Sequence, residues 1–283
     1  MPIKDKKLLI GILALLIIIV LLFVLRQKPQ SNSRAAVQAG EQSPAYSLES
    51  MVEKAKAEMS ENNRHLVELL EFDLDTMKNT RQQAIWYDSL AIIWKRFQWP
   101  TVSALYLKKA AEKDPGVERW FKAGDAFFEA FQYSNQFQLE NIENARYCYE
   151  QVLKLDPGNL DAKSGVAVCV IEGAKFTGTP PMEGIRMLTA ILAEDSTHVK
   201  TLVNLGYYAM QSGQYDKALE RFKAALRTDT TQTDLYIYIA DACLALKDTV
   251  GAIASLKGFV ERTDNPDLKY QTELFIMKLE KNK

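Results

Sequence analysis

The stretch VKTLVNLGYYAMQSGQYDKALERFKAALRTDTTQ, residues 199–232, decides how the rest of the chain is read. It carries Leu202, Leu205-Gly206 and Ala209, then Ala218, Phe222 and Ala225, and a helix stop at Asp229. Apolar and small residues spaced three and four apart mark helix faces packed against neighbours. The unit is thirty-four residues long, and the register continues on both sides.

Residues 233–266 give Tyr236, Ile239-Ala240, Cys243, Ala252, Leu256 and Phe259. Residues 84–116 give Tyr87, Leu90-Ala91, Trp94, Ser103, Leu107, Ala110 and Pro115. Residues 117–159 give Trp120, Ala123-Gly124, Phe127, Ala145, Tyr149, Val152 and Pro157. Residues 160–198 are a weaker copy: Val166-Ala167, Val170, Gly184, Leu188, Ile191 and Asp195. A fixed period of this length is the mark of a stacked repeat.

The pattern resembles the tetratricopeptide repeat (TPR), over about 84–266, some 183 of the 283 residues. The strings AEKDPG (111–116) and LKLDPGN (153–159) look like the family's repeat junctions. The small-residue pairs Gly124/Ala145, Gly206/Ala218 and Ala240/Ala252 stand where that pattern needs two helices to approach closely. The resemblance implies an all-α fold, a right-handed helical solenoid of about five helix pairs plus capping helices. It implies scaffolding and names no ligand.

Upstream, Leu48, Met51, Val52, Ala55 and Met59, then Leu66, Leu69, Leu70, Leu74 and Met77, recur at helical spacing. They predict an amphipathic pair over 45–80, either a cap or a degenerate repeat. Downstream, Tyr270, Leu274 and Met277 predict one terminal helix over 266–281 that covers the last repeat. The TPR domain is thus expected to run from 45 to 283.

The N-terminus reads differently. Residues 8–25, LLIGILALLIIIVLLFVL, hold no charge and no polar side chain. As a helix they span about 27 Å, close to the hydrocarbon core of a bilayer. The apolar run is longer than a signal-peptide core, and Arg26-Gln27-Lys28-Pro29 follows it with no prompt small-x-small site. An uncleaved transmembrane anchor is expected, after a charged tail at 1–7 and before a flexible linker at 26–44 rich in Gln, Ser, Ala and Pro. Lys4, Lys6 and Lys7 lie close to the span. They favour the N-terminus inside the cytoplasm, with the domain in a bacterial-type periplasm.

Charge and chemistry exclude other classes. The net charge is −1, with +5 on residues 1–34 and −6 on residues 35–283. An acidic body is a poor partner for nucleic acid. Cys148, Cys169 and Cys243 form no CxxC or Cys/His cluster and read as buried small hydrophobes. His65 and His198 are isolated, and no nucleotide-binding, hydrolase or metalloprotease motif is present. No metal, no cofactor and no enzymatic activity are expected.

The resemblance implies a concave groove lined by the first helix of each repeat, open to a peptide or a partner helix. Its candidate residues are Phe121, Asp125, Ser164, Val168, Lys200, Val203, Asn204, Tyr207, Ile237 and Asp241. The family's two-carboxylate clamp needs Lys, Asn and Arg where this chain has Asp88, Phe121, Gly165, Ile237 and Tyr238. Only Lys200 and Asn204 suit it, so a clamp is not expected. Two adjacent repeats are longer than thirty-four residues, within FEAFQYSNQFQLEN (128–141) and GAKFTGTPPMEG (173–184). Either their first helix is lengthened, or Phe131, Tyr133, Phe137 and Phe176 build a second contact surface on the insertion edge. The expected function is a membrane-tethered TPR scaffold for protein–protein interactions in the bacterial cell envelope. An accessory subunit of a complex in secretion, translocation or envelope assembly fits that layout. The alternatives are a cytoplasm-facing TPR adaptor or an enzyme-regulatory module.

Overall fold

A computed structural model describes residues 47–281. The tail 1–7, the anchor 8–25 and the linker 26–44 lie outside the described residues. Among these there are thirteen helices and no strand. In order they are α1 Leu48–Glu58, α2 Glu61–Thr76, α3 Thr80–Arg96, α4 Pro100–Lys113, α5 Val117–Tyr133, α6 Gln138–Leu155 and α7 Leu160–Thr177. There follow α8 Met182–Glu194, α9 Val199–Gln211, α10 Tyr215–Thr228, α11 Asp234–Ala245, α12 Thr249–Arg262 and α13 Pro266–Lys281. No described helix is long and apolar enough to cross a membrane.

The helices stack as successive pairs, α3/α4 to α11/α12, each packed on the next. The pair α9/α10 shows why. α9 buries Leu202, Leu205, Gly206 and Ala209, and α10 buries Ala218, Phe222 and Ala225. Burying Phe222 contributes about 2–3 kcal/mol. The ring lies against Gly206: a Cβ there would sit 2.5 Å from Phe222 Cε1. Tyr149 of α6 uses the same device twice, wedged between Gly124 of α5 and Gly165 of α7. A small residue on one helix is thus the socket for an aromatic ring on another. All three cysteines are buried.

Three turns between paired helices are built alike. Gln98, Gly213 and Lys247 each take positive φ, of 63°, 74° and 63°. In each, that residue's N–H donates to the carbonyl three residues back, and the following N–H donates five residues back: Gln98 to Lys95, Trp99 to Trp94, Gly213 to Met210, Gln214 to Ala209, Lys247 to Leu244 and Asp248 to Cys243. This is a Schellman cap, which satisfies the last helical carbonyls. The turns after α5 and α7 lack the five-back bond.

Polar contacts bind each pair to the next. The buried Asn141 amide donates to Thr101 Oγ1 at 3.1 Å, and Lys108 Nζ donates to Asn144 Oδ1 at 2.7 Å. Arg119 of α5 reaches back to Asp88 of α3. Caps are local: Asn159 accepts from Ala162 N–H at 2.9 Å to open α7, and Asp248 accepts from Gly251 N–H at 2.8 Å to open α12. His198 opens α9, its Nδ1 accepting from Thr201 N–H at 3.3 Å.

The two terminal elements pack on faces other than those expected. α13 buries Ile276 and rests Leu279 against the α11/α12 core, while Tyr270, Leu274 and Met277 face away. α2 buries Val67 and Leu74 and leaves Leu66 and Leu69 exposed. Both helices are apolar on more than one side, so their spacing fits two rotations. Packing selects the one that sets the β-branched Val67 and Ile276 inward. In α1, Met51, Val52 and Ala55 are buried.

Candidate functional site

Two clefts open beside the first helices. The first, about 730 Å³, is lined by Ile92 and Lys95 of α3 and by Val117, Phe121, Asp125 and Glu129 of α5. Phe121 stacks edge-on against Tyr149, with ring centroids 5.5 Å apart, and Lys200 of α9 holds its ammonium 4.6 Å from the Phe121 ring. Tyr149 O–H donates to Asp125 Oδ1 at 2.7 Å. Burial and then the Asp125 carboxylate push the Tyr149 phenol well above its ordinary range. Asp125 is therefore partly spent on holding α6 in place.

The second cleft, about 680 Å³, is aromatic. α5 contributes Phe128, Phe131 and Tyr133; α9 contributes Val203, Asn204, Tyr207 and Tyr208; α10 and α11 contribute Phe222 and Tyr238. Tyr207 and Tyr208 meet edge-on at 5.5 Å, and Phe222 and Tyr238 lie tilted at 34° with centroids 5.4 Å apart. Tyr133 is 78% exposed and Tyr207 52% exposed, so rings stand in the cleft with their faces open. At its α7 wall, Tyr208 O–H donates to Glu172 Oε1 at 3.0 Å. Burial and the Glu172 carboxylate hold that phenol far above the usual tyrosine range. Glu172 also pairs with Lys175 at 3.4 Å. The Lys175 ammonium lies 4.6 Å from the Phe131 ring and 5.3 Å from the Phe176 ring. One acid and one base cancel at that wall, so aromatic faces dominate recognition there.

The ten groove candidates divide. Phe121 and Asp125 line the first cleft, and Val168, Val203, Asn204 and Tyr207 line the second. Lys200 leans on Phe121 across the space from α9 to α5. Ser164 is corrected from groove to packing: it is fully buried and its Oγ accepts from Asn204 Nδ2 at 3.0 Å. That bond ties α7 to α9 and spends one face of Asn204. Val168, though it borders the cleft, is also core. Ile237 and Asp241 line neither cleft; Ile237 packs on the α9–α12 core and Asp241 is exposed.

Of the insertion-edge residues one is corrected, Phe131, while Tyr133 and Phe176 are exposed. Most of the extra sequence is helix: α5 has 17 residues and α7 has 18, against 13 in α9 and 12 in α11. Phe131 is not a surface residue; it is buried beneath Lys175 and edge-on to Phe176 at 6.5 Å. Phe137 is half-buried in the left-handed conformation at the start of α6, φ 58°. Tyr133 projects into the second cleft beside Tyr207. Edge and groove are thus one surface. Phe128, Glu172, Lys175, Tyr208, Phe222 and Tyr238 were not among the sequence candidates. Helical spacing from Phe131 and Phe176 could have drawn attention to Phe128 and Glu172, whereas Phe222 and Tyr238 stand on other helices and no spacing marks them. At the expected non-clamp position, Asp88 is engaged by Arg119 and by Lys122 at 3.3 Å.

Residues 209–271 and 134–159 each match a tetratricopeptide-repeat family. No curated protein matches the whole sequence closely enough to count as a relative. Among solved structures, a tetratricopeptide repeat protein from Parabacteroides merdae is similar at 14% identity, over 82% of this chain and 86% of that one, with a TM-score of 0.52. The thermophilic TPR protein TTC0263 of Thermus thermophilus is similar at 13% identity, over 69% of this chain and 99% of that one, with a TM-score of 0.52. These likenesses concern the fold. The repeat match itself covers 209–271 and 134–159, and the same helix pairing and small-residue sockets run through the described pairs α3/α4 to α11/α12.

Proposed function

We propose that this chain is a membrane-tethered TPR scaffold that holds a segment of a partner protein, as an extended peptide or a helix, along its concave face from Phe121 to Tyr238. The observation that carries the reading is the open aromatic cleft, in which Tyr133, Tyr207 and Tyr238 present ring faces with no strong net charge beside them. Exposed aromatic surface of this kind marks a docking site, and rings lose little side-chain entropy when they bind. The tether is read from the apolar run at 8–25, and the N-in orientation from Lys4, Lys6 and Lys7. On this reading the protein sits in the inner membrane with its repeats in the periplasm, as an accessory subunit of an envelope complex. Anchoring would raise the local concentration of a membrane-bound partner.

A photo-crosslinking residue placed in the full chain in cells tests the groove. At Tyr207 or Tyr133 it should trap one partner protein, whereas at exposed Tyr270 it should not trap that partner. Equal trapping at all three positions would remove the groove reading. Reporter fusions after Lys283 that are active only in the cytoplasm would reverse the orientation and leave the groove reading standing.

A further inference from the structure

The lysines that line or lean over the two clefts are all engaged. Lys95 pairs with Glu129 at 2.7 Å and Lys122 with Asp88 at 3.3 Å. Lys175 pairs with Glu172 and lies over Phe131 and Phe176, and Lys200 lies over Phe121. On α5 and α7 the fold thus meets its own ring faces with its own cations.

The charges cancel within the aromatic cleft, but just past its α11 rim they do not. Asp234, Tyr238 and Asp241 stand at i, i+4 and i+7 on α11, and all three are exposed. Tyr238 shares the cleft with Tyr207 of α9, and the two rings are 40% and 52% exposed. α11 carries two acids and no base. α9 carries one base, Lys200, which lies two turns before Tyr207 and leans the other way onto Phe121. On the helices packed against α11, Arg221 of α10 donates to the Leu205 carbonyl at 3.0 Å, and Arg262 of α12 lies over Tyr236. Among the described residues neither aspartate has an ion pair or a side-chain hydrogen bond, and no cation lies over Tyr207 or Tyr238. Burial first, then Asp234, Tyr207 and Asp241, raise the Tyr238 phenol, so the formal charges acting on it are carboxylates. Burial raises the Asp241 carboxyl above its ordinary value, and no cation offsets it.

We propose that the α9–α11 end of the groove is a subsite for a cationic side chain, a lysine or arginine of the partner segment, held over the Tyr207 and Tyr238 rings with Asp234 and Asp241 as counter-charges. A tyrosine face attracts a cation, and a carboxylate beside it offsets the water the cation gives up. The chain makes the ring half of this contact on α5 and α7 with its own lysines; on α11 the partner supplies the cation. The assignment rests on the groove reading above and adds what the partner brings to it: a basic residue close to the apolar residues that fill the aromatic cleft. An acidic residue there would meet two like charges.

The test uses the full chain in detergent micelles and a random peptide library displayed on phage. The Tyr207→Ser/Tyr238→Ser chain in the same micelles serves as the subtraction. The parent should enrich sequences with a lysine or arginine close to an aromatic or aliphatic residue. Asp234→Asn with Asp241→Asn should keep the apolar preference and lose the basic one. A selected peptide is then made with its basic residue and with norleucine in that place. The charged form should bind the parent about five- to tenfold more tightly, and the two forms should bind the Asp234→Asn/Asp241→Asn chain alike. All four substituted positions are exposed, so an unchanged helical signal is expected and is measured alongside. Apolar or acidic selection without basic enrichment, or basic enrichment that survives in the Asp234→Asn/Asp241→Asn chain, would overturn the cationic subsite and leave the groove reading standing. Selection of no sequence above the subtraction chain would overturn both.

Discussion

The repeats α9/α10 and α11/α12 differ from α5/α6 and α7/α8 in how the first helix ends. In the first group it stops in a Schellman cap at Gly213 or Lys247. In the second it runs on, and the added turn carries Phe131 and Tyr133 from α5 and Lys175 and Phe176 from α7. The regular repeats show the packing rule without addition: a small residue, a facing ring, a closed core. The long repeats keep that rule and append a wall. The second cleft exists because the appended wall of α5 and α7 faces the plain helices α9 and α11. Departure from the period, more than the period itself, shapes the candidate site.

The largest effect should come from the wall's own foundation. Phe131 is buried although it belongs to the added turn, so Phe131→Ala should cost about 3–5 kcal/mol in a denaturant titration. Its neighbour in the cleft, Tyr133, is exposed, and Tyr133→Ala should change stability by no more than about 0.5 kcal/mol while weakening partner capture. If the two cost the same, the added turn is all core or all surface and the contrast fails.

Next comes the socket of the regular repeat. Gly206→Leu drives side-chain atoms into the Phe222 ring and should cost on the order of 1–3 kcal/mol or more. Gly116→Ala, with open space around it, should leave the melting midpoint nearly unchanged. An unchanged midpoint for Gly206→Leu would break the packing rule in the repeats where it reads most plainly.

Alkaline pH sharpens the same comparison. Tyr149 and Tyr208 in the folded chain keep their protons, through burial first and then Asp125 and Glu172. Unfolded tyrosine ionises near pH 10. The folded state therefore holds more protons above that pH, and stability that is complete below about pH 10 falls as pH rises, by up to about 1.4 kcal/mol per pH unit for each tyrosine. Tyr208→Phe should flatten the slope of urea midpoints measured from pH 9 to 11. A slope equal to that of the parent would mean that the α7–α9 contact is wetter than its hydrogen bond implies.

The repeat scaffold was legible because its signals are local. Gly206, Ala218, Leu202 and Phe222 lie within one unit, and a single helical period places them inward. The first-helix residues Val203, Asn204 and Tyr207 followed from the same period, read on the opposite face. Ser164 was misread because its burial depends on Asn204, forty residues on, and the angle between repeats decides whether they meet. Phe222 and Tyr238 reach the cleft for the same reason: rotation from one pair to the next is not written in any one helix. At the ends, α2 and α13 offer apolar residues on two sides, and periodicity alone cannot choose between them.

The three Schellman turns have a mechanical meaning. Each is a joint fixed by two backbone bonds, and a fixed joint makes its helix pair a stiff bracket. The turns at 134–137 and 178–181 have a single four-back bond closing the helix before them, from Ser134 N–H to Ala130 and from Gly178 N–H to Ala174. Of the five turns within a repeat these two have the fewer backbone ties, and they are held instead by side-chain bonds of Ser134 and Thr177; they are expected to yield first. The width of the aromatic cleft, which these two repeats wall, is then the dimension expected to vary most. Amide hydrogen exchange should be faster through 134–137 and 178–181 than at 98–99, 213–214 and 247–248, and uniform exchange across all five turns would mean that the rod bends everywhere alike.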